Sequence, residues 1–169
     1  MSKIEVQKLA YFLQEAGEDL RLQFIRHHYG PYAAALRHTL DKMDGHFIHG
    51  LGDGVAEAEI APNQAALEQA ELYIQQTQNP KLLEHIAKVE ELIEGFQSPY
   101  GMELLATVHW VATREHAQNP MQALQHIQAW NERKRHLMKP AHIDVAWQQL
   151  SELGRIKTAS AETACSQPA

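Results

Sequence analysis

With 169 residues, 44% of them hydrophobic, the chain is sized for one globular domain with its own core and leaves no room for a second. A formal net charge of −6 with a pI near 6.0 argues against direct nucleic-acid binding, which needs a concentrated basic face, and suits a basic partner. Cys165 is the lone cysteine, which excludes an internal disulfide. The longest apolar runs, such as LLATVHWVA, are too short to span a bilayer, and a soluble cytoplasmic protein is expected.

Val6, Leu9, Ala10 and Leu13 recur on one face between Ser2 and Ala16, and Ile4, Tyr11 and Phe12 widen it into a largely apolar, buried helix. Ser2 caps this helix and Gly17 ends it. Leu20, Leu22 and Phe24 alternate with Arg21 and Gln23, which predicts a short strand, and Gly30-Pro31 then makes a rigid turn into a helix from Tyr32 to about Met43. From His46 to Ile60 a β-hairpin is expected, with Gly52-Asp53-Gly54 at its turn.

Past Pro62 the chain reads as helices over Gln64 to Thr77, Pro80 to Glu94, Tyr100 to His116, Pro120 to Arg133 and Ala141 to Leu153. Asn79-Pro80, Ser98-Pro99 and Asn119-Pro120 each place a capping side chain before a first-turn proline. The expected fold is α+β and predominantly helical, with about six or seven helices and a small antiparallel hairpin in the N-terminal third. Residues 1–155 form a single domain, and 156–169 are read as a disordered tail because TASAETACSQPA is small, polar and aperiodic.

The run His27-His28-Tyr29-Gly30-Pro31-Tyr32 is the best interface candidate, since tyrosines bring large amphipathic area at low entropic cost. Lys8, set among Ile4, Glu5, Tyr11 and Phe12, reads first as a snorkelling lysine paired with Glu5. Glu103, Thr107, Trp110 and Arg114 make one stripe of the Tyr100 helix and His109 lies on another; Glu103 and His109 are the pair that an acid–base hydrolase would use. No nucleophile with its base completes such a site. The histidines lack metal-ligand spacing, so neither metal nor other cofactor is expected. Arg133, Lys134 and Arg135 read as cations at a helix end, complementing its dipole.

Four stretches carry a family resemblance: KIEVQKLAYFLQ at 3–14, HYGPYAAALRHTL at 28–40, GHFIHGLGDG at 45–54, and SPYGMELLATVHWVA at 98–112 taken with WNERKR at 130–135. Together they resemble the C-terminal toxin-binding domain of the DarG antitoxins of DarT/DarG toxin–antitoxin systems, with a weaker likeness to Panacea-type antitoxin domains. The resemblance implies an antitoxin that binds a DarT-type toxin, an ADP-ribosyltransferase acting on single-stranded DNA, and occupies its DNA site as a DNA mimic. Family members usually carry a macrodomain that removes ADP-ribose from DNA, and here Met1 leads straight into the resembling region. The expectation is therefore a chain that is not an enzyme and lacks hydrolase activity, its macrodomain fused or encoded separately. It implies neither direct DNA nor membrane contact. Lys8, Tyr11, His28, Tyr29, Gly30, Pro31, Tyr32, Asp53, Tyr100 and Glu103 are the candidate partner-binding residues. The alternatives are a small metal-dependent or acid–base hydrolase and a nucleic-acid-binding regulator.

Overall fold

Ser2 opens the first helix with a complete capping box: its hydroxyl accepts from the Glu5 N–H at 3.2 Å, and the Glu5 carboxylate accepts from the Ser2 N–H at 2.6 Å. Glu5 is thereby occupied at the helix start. Helix α1 (Lys3–Glu15) ends before Gly17, whose φ of +117° suits glycine, and a side chain there would strike the His85 ring.

The computed structural model describes residues 1–52, 59–77 and 79–157. Its element order after α1 is β1 (Ile25–His27), β2 (Gly30–Tyr32), α2 (Ala34–Met43), β3 (Ile48–His49), β4 (Ala61–Pro62), α3 (Gln64–Gln76), α4 (Pro80–Ile93), α5 (Pro99–Thr113), α6 (Pro120–Gln128), α7 (Glu132–Leu137) and α8 (Pro140–Glu152). The fold is α+β and predominantly helical, with eight helices among the described residues where six or seven were expected. Two antiparallel two-stranded sheets pair β1 with β2 and β3 with β4.

The expected strand at Leu20 to Phe24 is not one. Arg21 takes a φ of +54°, which interrupts an extended run, and the Gln14 side chain binds both backbone groups of Leu22, at 2.8 and 2.9 Å. The strand begins at Ile25 instead, pairing Ile25 with Tyr32 and His27 with Gly30. The second hairpin forms by its outer ends, Ile48 with Pro62 and His49 with Ala61; its expected turn at Asp53 and Gly54 lies outside the described residues, as do residues 158–169 of the expected tail. The helix expected over Pro120 to Arg133 is two helices, because Asn131 starts α7 by accepting from the Lys134 N–H at 2.8 Å.

The chain divides into two compact units, the first Met1–Glu103 and the second from Leu104 onward. In the first, α1 packs on β2 and α4, Tyr11 meets Phe24 edge-on at 5.2 Å, and Leu40, Ile48, Leu51 and Ile60 form a satellite core. The chain start joins that core, since the Met1 carbonyl accepts from the Ile60 N–H at 2.7 Å. In the second, α6 packs on α8 over fully buried Ile127, Ile143, Ala146 and Leu150.

Candidate partner-binding cleft

Gly30-Pro31-Tyr32 is strand β2 and α2 starts at Ala34, where a Gly-Pro turn into a helix from Tyr32 was expected; two side chains of α1 reach across and fix this segment. Gln7 clamps Ala33 from both sides, its amide donating to the Ala33 carbonyl at 3.1 Å and its oxygen accepting from the Ala33 N–H at 3.0 Å. Lys8 donates from Nζ to the Pro31 carbonyl at 2.6 Å and is 2% exposed. This corrects the expectation of a snorkelling lysine paired with Glu5: Lys8 is buried, and holds the turn to the helix.

Gly30 adopts a φ of +94° that an L side chain rarely tolerates, so the chain can reverse over His28 and Tyr29 between paired His27 and Gly30. That reversal sets an aromatic wall. His27 stacks on Tyr32 with ring centroids 4.7 Å apart, and His28 meets Tyr29 edge-on at the same distance. Beside it opens a cleft of about 480 Å³, lined by Lys3, Gln7, Lys8, His27, Tyr29, Gly30, Tyr32, Arg37, Asp41 and Leu51 among others. This volume falls in the range of sites that take a small ligand or an anchoring side chain, roughly 300–1,000 Å³.

Among the described lining residues Lys3 and Arg37 are the cations not tied to the backbone, Lys8 being held by the Pro31 carbonyl, and Asp41 is the carboxylate, 3.8 Å from Arg37 in an exposed pair. Exposed pairs of that kind contribute little, so Arg37 keeps its charge available to an incoming group. The cleft therefore favours an anionic or aromatic group.

Of the candidate partner-binding residues, Lys8, Tyr29, Gly30 and Tyr32 line this cleft. Pro31 is buried and contributes the carbonyl that Lys8 binds, while His28 is exposed at the loop tip. Tyr11 is fully buried in the core, and Glu103 is 1% exposed. Tyr100 sits half-buried in the first turn of α5, outside the lining, and Asp53 lies outside the described residues. His27, part of the run named as the best interface candidate, also lines it, and Lys3, Arg37 and Leu51 join it without having been singled out in the sequence. A signal existed for Lys3, since Lys3, Ile4, Gln7 and Lys8 share one helical face.

His109, the imidazole of the hydrolase alternative, is 4% exposed in α5. Burial, reinforced by the positive charges of Arg114 and Arg155, lowers its pKa to about 4, so it is neutral at pH 7. Lys134 stands in the last turn of α7, as a helix-end cation would, but its ammonium turns into the interior. It is fully buried, donates to Thr107 Oγ1 at 3.1 Å and lies 5.3 Å from the centre of the Trp130 ring. Among the described residues no group of three or more histidine, cysteine or carboxylate side chains is placed to hold a metal, and no helix is long and apolar enough to cross a membrane.

The tyrosine-walled cleft beside the β1–β2 hairpin is a candidate recognition site. Comparison with known proteins adds a relationship. The chain is 41% identical over 157 residues to a protein of Thermus aquaticus named DNA ADP-ribosyl glycohydrolase, a match covering 93% of this chain and 43% of that protein. It is 39% identical over 151 residues to proteins of the same name from Mycobacterium bovis and Mycobacterium tuberculosis, covering 86% of this chain and 43% of each. The chain thus spans less than half the length of the curated relatives it matches. No family model matches it. These relatives support a DarG-like relationship and overturn the expectation of a chain that is not an enzyme. They carry the name of a glycohydrolase, so the lack of a recognisable nucleophile or metal pattern does not place a chain related to them outside the enzymes.

Proposed function

We propose that this chain serves a DarG-type system, in which one protein removes ADP-ribose from DNA and also restrains the transferase that attached it. In this reading the chain supplies the restraint. It binds a DarT-type DNA ADP-ribosyltransferase and shuts its single-strand site, its acidic surface standing in for DNA.

The observation that supports partner binding is the cleft beside the Gly-Pro-Tyr segment, where Lys8, Tyr29, Gly30 and Tyr32 meet Lys3 and Arg37; the DNA-mimic part rests on the chain's net charge and the family resemblance, not on this cleft. Such a pocket takes an acidic or aromatic anchor from a protein partner, and buried anchors of this type carry most of an interface's affinity. The net charge of −6 adds long-range attraction toward an enzyme that must itself be basic to hold DNA. Giving catalysis to Glu103 and His109 is less well supported, since both are buried.

Calorimetric titration against a catalytically inactive DarT-type transferase tests the cleft directly. Tyr29→Ala and Arg37→Glu are each expected to weaken binding by about tenfold or more, the loss of roughly 1.4 kcal/mol or more that marks a contributing interface residue. Both positions are exposed enough that folding should persist, and wild-type affinity in both variants would move the interface away from the cleft.

A further inference from the structure

Helix α3 is the structure's unexplained element. It has 13 residues and buries none of them. An isolated helix of that length is marginal in water, and helices in proteins normally gain their stability by covering an apolar face. Such a face exists here. Ala66, Leu67, Ala70, Tyr73 and Ile74 recur at spacings of three, four and seven residues, yet Leu67 is 41%, Tyr73 62% and Ile74 42% exposed. The next helix, α4, behaves ordinarily and buries Val89 and Leu92.

The start of α3 is firmly held. Asn63 accepts from the Ala66 N–H at 2.8 Å, donates its side-chain amide to the His46 carbonyl at 2.6 Å and its backbone N–H to the Phe47 carbonyl at 2.9 Å. Phe47 is itself 47% exposed. The helix is therefore anchored to the β3–β4 sheet while its apolar stripe stays open, the condition of a surface awaiting a partner.

Charge identifies the occupant. The helix carries Glu68 and Glu71 and no lysine, arginine or histidine. A second copy laid on it would bring carboxylates of the same sign together. The chain's own segments outside the described residues bring Asp53, Glu57 and Glu162 and no basic residue. Complementarity is left to a foreign surface with an apolar centre and a lysine- or arginine-rich rim.

We infer that the Leu67–Tyr73–Ile74 face of α3, edged by Glu68 and Glu71, is a docking surface for the basic rim of a DNA-handling protein. The inference rests on the toxin-binding reading above and names the transferase as that partner.

The test combines calorimetry with hydrogen exchange, using the whole chain and the catalytically inactive transferase. Leu67→Gln with Ile74→Gln, and separately Glu68→Lys with Glu71→Lys, should each weaken binding by about tenfold or more. Melting temperature should be unchanged, as exposed positions rarely affect stability. The α3 amides of the wild-type chain should exchange more slowly in the complex than free. Wild-type affinity in both double variants, or unchanged α3 exchange, overturns the docking surface while leaving toxin binding intact. Failure of the wild-type chain to bind the transferase instead sinks the toxin-binding reading, and this partner with it. A concentration-dependent dimer abolished by Leu67→Gln with Ile74→Gln would give the face to a second copy and overturn the inference.

Discussion

Lysine is ordinarily a surface residue, yet Lys8 and Lys134 are 2% and 0% exposed. Each spends its charge inside the fold, Lys8 on the Pro31 carbonyl and Lys134 on Thr107 Oγ1 beside Trp130. No local pattern announces this. The Pro31 carbonyl is 23 residues from Lys8 and the Thr107 hydroxyl 27 from Lys134, so the partners become neighbours only after folding. His109 allows a sharper test. Its folded pKa is about 4 against 6.5 for the free group, so the unfolded chain takes up a proton first as pH falls. Its contribution is fully present above about pH 6.5 and is lost progressively toward pH 4, on the order of 2 kcal/mol by pH 5. Urea midpoints measured at pH 7 and pH 5 should fall more in the wild-type chain than in His109→Gln. Equal falls would show that this imidazole does not carry the pH dependence.

Helix starts were the most legible elements, because a capping side chain followed by proline is a local signal with a local cause. Asn79, Ser98 and Asn119 cap as expected, accepting from the N–H groups of Leu82, Gly101 and Gln122. Asn131 uses the same chemistry without a proline, and the continuous apolar pattern hid it inside one long helix. Asn131→Ala should cost about 1 kcal/mol and loosen α7, measurable as a lower urea midpoint and faster exchange of the Lys134 amide. An unchanged midpoint would contradict the separation of α6 from α7 by this cap. Strands were the least legible. The alternation at Leu20 to Phe24 is real, but it half-buries side chains, Phe24 against Tyr11 among them, while Arg21 at φ +54° prevents ladder formation. The open face of α3 also escaped notice, since periodicity shows that a helix has an apolar side without showing whether anything covers it.

At the scale of the whole molecule, the proposed binding to a protein partner rests on the net charge of −6 and two candidate surfaces of the first unit, the cleft and the open face of α3. The predominantly helical class was readable from the spacing of apolar residues beyond Pro62. The cleft was readable only in part, because Lys8, Tyr29, Gly30 and Tyr32 stood out as candidates, whereas Arg37 and Leu51, though inside the same family-like stretches, reach it only through the packing of α2 and the satellite core. Relatives that are 39% to 41% identical carry the name DNA ADP-ribosyl glycohydrolase, and the chain spans less than half of their length. In the proposed function, this chain and single-stranded DNA compete for one site on a DarT-type transferase. The most direct measurement is titration of single-stranded DNA into the complex of this chain with the catalytically inactive transferase. DNA should release the chain in proportion to its occupancy of the transferase; a ternary complex holding chain and DNA together would contradict competition for one site.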